Sequence, residues 1–107
     1  MRAALDNFRH VEAKAKLALL GDMRELGAES RAEHEKVIRQ LRADGLPACL
    51  VGEEFRGALE ALPPGDEPWF PTSEALAAHL AAHPVRDTVV LVKGSRGIQM
   101  EKTLQYL

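Results

Sequence analysis

The sequence predicts a small doubly wound, Rossmann-like α/β domain, three layers deep around a mainly parallel sheet of about four strands. Short apolar runs alternate with amphipathic helical segments along the chain, the pattern of a parallel sheet covered on both faces. The length of 107 residues suits one compact core and places residues 1–107 in a single domain. Right-handed crossovers between successive strands then favour the order 3-2-1-4.

Each element has a local reason. Met1–Phe8 reads as helix from its first position, with Leu5 and Phe8 on one face. No capping residue precedes it, which suggests a chain cut from a longer one. Lys16–Leu20 is a short apolar run ending in Gly21-Asp22, a buried strand. Ser30 and Glu33 have capping-box spacing, and behind them His34, Val37, Ile38 and Leu41 recur at helical spacing. Gly45 stands where a left-handed cap would end that helix. Pro47–Val51 is the second strand, and Glu53–Leu62 a helix with Phe55, Leu59 and Leu62 inward. Pro63-Pro64-Gly65-Asp66 is a turn, and Trp69-Phe70 a brief third strand. Thr72 or Ser73 caps a helix over Glu74–Ala82, which Pro84 follows. Thr88–Val92, apolar and β-branched, is the strongest strand, and Arg96–Leu107 carries Ile98, Met100, Leu104 and Leu107 as a terminal helix.

Composition narrows the function. A formal net charge of −2, with basic and acidic residues interspersed, argues against a nucleic-acid or anionic-membrane surface. No apolar stretch approaches the roughly 20 residues needed to cross a bilayer, so membrane insertion is not expected. Cys49 is the only cysteine and lies in an apolar run, where it reads as a small buried hydrophobe. A reduced, cytoplasmic setting follows. The Gly-x-Gly-x-x-Gly fingerprint and the phosphate-binding loop are both missing, so nucleotide binding by this chain alone has little support. His10, His79 and His83 show no metal-ligand spacing.

In an open parallel sheet ligands bind at the carboxyl ends of the strands, where the strand order reverses. Strands 1 and 4 meet there, and their ends, Leu20-Gly21-Asp22-Met23 and Val92-Lys93-Gly94-Ser95-Arg96, are polar and glycine-punctuated. Lys93 supplies a cation, Gly94 admits close approach to the backbone, and Ser95 caps the last helix, whose first N–H groups face the same space. Such a place suits a carboxylate or phosphate. The plainer reading makes Ser95 only a cap, with Lys93 and Arg96 solvated or paired with Asp22 and Glu101. Asp22, Glu25 and Glu29 form an acidic loop fit for an ammonium group or a neighbouring basic side chain, although Glu29 is read first as a favourable charge at a helix start. His34 is a weaker candidate contact, and Met23 and Met100 read first as packing residues.

These residues also resemble a family. Leu20-Gly21-Asp22-Met23-Arg24-Glu25-Leu26-Gly27-Ala28-Glu29-Ser30, followed by His34, is similar to the signature opening the C-terminal domain of the D-alanyl-D-alanine-adding Mur ligases. Val90-Leu91-Val92-Lys93-Gly94-Ser95-Arg96, followed by Met100-Glu101, resembles their second signature, and Met1-Arg2-Ala3-Ala4-Leu5-Asp6 is similar to the helix after their Asn-rich interdomain motif. The match is in order and spans nearly all of the chain, while Leu46 to Asp87 carries no signature.

The resemblance implies a three-domain, ATP- and Mg²⁺-dependent ligase that joins D-alanyl-D-alanine to a UDP-N-acetylmuramoyl-tripeptide in peptidoglycan precursor synthesis. The N-terminal and central ATP-binding domains are absent here, so this chain alone is expected to hold neither ATP nor Mg²⁺ and to be inactive. Its expected part is binding and orientation, which can lower a barrier by up to roughly 7–11 kcal/mol. Lys93, Gly94, Ser95 and Arg96 would lie against the closed active site with the dipeptide carboxylate or nucleotide nearby. Asp22 and Met23 would line the same cleft, with His34 beside them. A receiver-like phospho-acceptor domain is a poor rival, because strands 2 and 3 offer no acceptor aspartate. A freestanding Rossmann-like module binding a small anion or a protein is the other reading.

Overall fold

The computed structural model describes residues 2–23 and 27–106, and of Arg2, Arg96 and Tyr106 only the backbone. Met1, Glu25 and Leu107, which carried parts of the sequence reading, lie outside the described residues. The chain runs α1 (Arg2–Arg9), β1 (Lys16–Gly21), α2 (Ser30–Asp44), β2 (Ala48–Val51), α3 (Glu53–Ala61), β3 (Trp69–Phe70), α4 (Ser73–Ala82) and β4 (Val89–Lys93). Short 3-10 segments cover Gly27–Glu29, Arg96–Ile98 and Met100–Tyr106. The strands form one sheet in the order β3-β2-β1-β4, every neighbouring pair parallel, the order read from the sequence.

Alternation along the strands builds the three layers. Ala18, Leu20, Ala48 and Leu50 face a core closed by Leu5 of α1, Val37, Ile38 and Leu41 of α2, and Phe55 and Ala58 of α3. Leu19, Cys49 and Val51 face the opposite side, against Leu76 and Leu80 of α4 and Ile98 and Met100 of the C-terminal segment. A one-residue slip in register would exchange these two sets, so the sequence of buried residues also fixes the pairing. Burial pushes the Cys49 thiol pKa up, which leaves it a packing group.

Two local expectations are corrected. The Ser30–Glu33 capping box does not form. A 3-10 turn over Gly27–Glu29 runs into α2, so Glu29 takes the cap position without a side-chain bond, and the Ser30 hydroxyl donates instead to Glu54 Oε2 at 3.0 Å. The terminal α-helix is also replaced. Ile98 and Met100, two residues apart, are both buried in one core, and an α-helix turns residues at that spacing to different sides. The chain therefore reverses at Gln99 (φ 55°) and proceeds as 3-10 turns, leaving Leu104 exposed and the buried Thr103 hydroxyl donating to the Met100 carbonyl at 2.7 Å. Ser95 consequently stands before a three-residue 3-10 turn and not before an α-helix. β4 takes the sheet edge that the order 3-2-1-4 gives it, and its residues are only partly covered.

The other caps form as expected. Gly45 adopts the left-handed conformation (φ 63°, ψ 32°) and closes α2, while Thr72 Oγ1 accepts from Ala75 N–H at the start of α4. The end of α2 is tied to the loop before β3 by a two-pronged ion pair. Arg42 Nε donates to Glu67 Oε2 at 3.0 Å and Nη2 to Oε1 at 2.9 Å, and Nη1 reaches the Pro63 carbonyl at 2.8 Å.

The hydrogen bonds from Arg42 hold the Glu67 carboxyl below the ordinary glutamate range. Because the folded-state value is the depressed one, this stabilisation is complete above the unfolded value of about 4.3 and is lost as pH falls through the folded value. Replacing Glu67 with Gln should cost about 1–2 kcal/mol near neutral pH. In urea titrations the gap between the variant and the unaltered chain should close as the buffer is taken to acid pH.

Candidate functional site

The carboxyl ends of β1 and β4 lie side by side, Leu20 pairing with Lys93. Just beyond them Asp22 joins three parts of the chain. Its N–H donates to the Val51 carbonyl at 3.0 Å, and its carbonyl accepts from Ser95 N–H at 3.0 Å. Its buried carboxylate accepts from both Glu54 N–H (Oδ2, 3.0 Å) and Phe55 N–H (Oδ1, 3.1 Å). The side chain is thus the N-terminal cap of α3, supplied from another strand, where it also meets the positive end of the helix dipole. It is not an acidic group open to an incoming ammonium, and it does not pair with Lys93.

Gly52 makes this cap possible. Its φ of 112° is a glycine conformation, and a Cβ there would stand 2.3 Å from Asp22 Cγ. The bare position lets the strand end turn tightly into α3 with the carboxylate against it. The Trp69 indole N–H closes the other side by donating to the Gly52 carbonyl at 2.7 Å.

His34 is fully buried beneath the same strand end. Its Nδ1 is 2.6 Å from the Ser30 carbonyl and must donate to it, which leaves Nε2 to accept from Met23 N–H at 3.0 Å. The imidazole is therefore neutral with its proton on Nδ1, and its ring packs edge-on against Phe55 at 4.6 Å between centroids. Through this bond His34 fixes the backbone where the chain leaves β1, so its position serves orientation. The Met23 side chain is partly buried against the α2–α3 core.

On the β4 side Lys93 is exposed at the strand end. The face of Gly94 that lacks a side chain is filled by protein: a Cβ would meet Ile98 Cγ2 and Met100 Cγ at 2.9 Å each. The absent side chain at Gly94 therefore lets Ile98 and Met100 close over the strands. Ser95 is held by the bond to Asp22 and by Ile98 N–H donating to its carbonyl at 3.1 Å. The Arg96 side chain lies outside the described residues.

The fold thus gathers Asp22, Met23, His34 and Ser95 into one hydrogen-bonded rim, with Gly94 packed under Ile98 and Met100, and leaves Lys93 exposed beside it. Ser30 and Glu54 belong to the same network and were not read as such from sequence. Their link crosses from α2 to α3, and only the pair of acids at the start of α3 hinted at it. Among the described residues no group of three or more His, Cys, Asp or Glu side chains could hold a metal ion. A cavity of about 530 Å³ lies at the far, amino end of the strands, lined by Leu41, Leu46, Pro47, Ala48 and Pro68. It shares no residue with the rim.

Residues 1–96 match the family model described as Mur ligase, glutamate ligase domain. The chain belongs to the Mur ligase family. It is 31% identical, over 99% of its length, to a UDP-N-acetylmuramoyl-tripeptide–D-alanyl-D-alanine ligase of Rickettsia prowazekii, and 33% identical, over 95%, to the enzyme of the same name in Treponema pallidum. It spans only about a quarter of these relatives, 24% and 23% of their lengths. The same Mur ligase fold appears in a crystal structure of MurF from Acinetobacter baumannii, with a TM-score of 0.79, 29% identity and cover of 98% of this chain and 24% of that one. A MurF ligase from Thermotoga maritima solved in complex with ADP shares the fold at a TM-score of 0.74 and 23% identity, again over 98% of this chain and 24% of that one.

Replacing Asp22 with Asn keeps the shape but sets an NH2 group against one of two backbone donors. This should cost about 2–3 kcal/mol in urea unfolding, the magnitude of a lost charge-assisted bond. A loss within about 0.5 kcal/mol, the range of an ordinary surface change, would mean that α3 is held by other contacts.

Proposed function

We propose that residues 1–107 form the single C-terminal domain of an ATP- and Mg²⁺-dependent ligase that joins D-alanyl-D-alanine to a UDP-N-acetylmuramoyl-tripeptide during peptidoglycan precursor synthesis in the cytoplasm. The observation that carries this reading is the relation to two ligases of that name along almost the whole chain. Upstream N-terminal and central domains would hold the nucleotide, the metal and the UDP-linked acceptor. This chain supplies no phosphate loop and no described metal cluster, so alone it is expected to be inactive.

The face turned to those domains is the β1–β4 rim. Lys93 is its exposed cation, placed to attract the dipeptide carboxylate or a nucleotide phosphate as the domain closes. Gly94, Ser95 and Arg96 continue the same strand end. Asp22, Met23 and His34 keep that end at a fixed distance from α3 and α2 through the bonds already described. The work of the rim is orientation, the contribution a domain can make without a catalytic acid or base. Closure would also exclude water from the reacting groups.

The decisive variant is Lys93→Ala in the full-length ligase. A lost charge-assisted contact of about 1.5–3 kcal/mol should lower kcat/KM for the dipeptide or for ATP by roughly 10- to 100-fold. Unchanged kinetics for both would remove Lys93 from the site. An amide NMR titration of this chain with D-alanyl-D-alanine, against L-alanyl-L-alanine, separates the remaining possibilities. Shifts confined to Asp22–Met23 and Lys93–Arg96 would mean that the domain recognises the dipeptide unaided. No selective shift would mean that the site needs the other domains.

A further inference from the structure

α4 ends in two histidines that the rim does not use. His79 stands in its last turn and His83 at its C-cap, four residues apart on one face of the helix. Their rings are stacked, 4.5 Å between centroids and 24° from parallel. Read along the chain with His10, the two carry no ligand spacing, and only the helix turns them toward each other. The same separation on a helix sets two imidazoles around one zinc ion in the His-Glu-x-x-His motif.

Three features orient the pair for a cation. His83 Nδ1 is 3.1 Å from the His79 carbonyl. A carbonyl only accepts, so Nδ1 carries a proton and the neutral ring keeps its lone pair on Nε2. Metal-bound histidines commonly make this bond, which fixes the ring and leaves the other nitrogen to the ion. His79 is half-buried, and the Phe70 ring backs it at 5.1 Å, which limits its swing. Both imidazoles also stand at the carbonyl end of a helix, where the dipole favours positive charge. A tetrahedral zinc ion, with Zn–N bonds of about 2.0–2.1 Å, holds two nitrogens about 3.3 Å apart. The exposed His83 ring approaches that separation by tilting one edge toward His79.

We propose that His79 and His83 together bind one divalent transition-metal ion of the kind imidazole favours, Zn²⁺, Ni²⁺ or Cu²⁺. No third His, Cys, Asp or Glu side chain of the described residues joins them, so water completes the coordination. Mg²⁺ and Ca²⁺, which take oxygen ligands, are not held there. The pair shares no residue with the rim, and the proposal does not rest on the ligase reading.

A ZnCl₂ titration of the chain near neutral pH tests it, followed through the imidazole ¹H–¹⁵N signals, with MgCl₂ as the control. The His79 and His83 rings should shift together and saturate at one ion per chain. The lone His10 should respond only at higher zinc, and Mg²⁺ should move neither ring of the pair. His79→Gln and His83→Gln should each weaken zinc binding about tenfold or more, because one imidazole cannot chelate. Circular dichroism confirms that each variant is folded, and His83→Gln, at an exposed position, decides alone if His79→Gln is not. Rings that shift no earlier than His10, or a folded His83→Gln chain that binds zinc as tightly as the unaltered one, would overturn the proposal. Neither result bears on the ligase reading, whose test is made at Lys93.

Discussion

A carboxylate with no charged partner among the described residues sits where β1, β2 and α3 meet. Asp22 is buried, yet both its oxygens accept hydrogen bonds from the first free N–H groups of α3. A buried charge is tolerated only when its bonding capacity is met, and two backbone donors at the positive end of a helix meet it. The arrangement imposes conditions on its surroundings. Gly52 must lack a side chain, α3 must begin immediately after β2, and β1 must end at the level of β2. The register Gly21↔Val51 and the bond from Asp22 N–H to the Val51 carbonyl satisfy the last of these.

The second constraint is the crowding over Gly21 and Gly94. These glycines stand side by side at the ends of adjacent strands, and a Cβ on either would collide with Ile98 and Met100. Two bare positions let the C-terminal segment lie close on the sheet, and the reversal at Gln99 lets two residues separated by one enter the same core. The same glycines end the strands at the rim. Packing on one face and a polar strand end on the other therefore depend on the same two absent side chains.

Sequence periodicity made much of this architecture legible. Alternating apolar runs and helical spacings placed every strand and the four helices before the C-terminal segment, and crossover handedness ordered the sheet. The adjacency of the two polar, glycine-bearing strand ends was legible too, because they fall where the strand order reverses. The roles of the side chains there were less so. Asp22 reads as a solvent-facing acid because its partners, Glu54 and Phe55, lie 32 and 33 residues away along the chain. Ser30 has the spacing of a cap, but the turn before it carries the helix start back to Glu29. Met100, Leu104 and Leu107 have helical spacing, but Ile98 stands only two residues before Met100, and the crowding of both over the glycines shows why the helix is abandoned. Each miss arose where a long-range contact overrode a local pattern.

The three main-chain and side-chain links at Asp22 also have a mechanical meaning. β1 meets the Ser95 loop through the Asp22 carbonyl, β2 through its N–H, and α3 through its carboxylate. A push on any one of these would be felt by the others, with little compliance between them, because close-packed interiors transmit strain. The rim would then travel as a stiff plate in any movement of the domain as a whole. Its shape would be carried through unblurred, in the way a key's bit follows the turn of its bow.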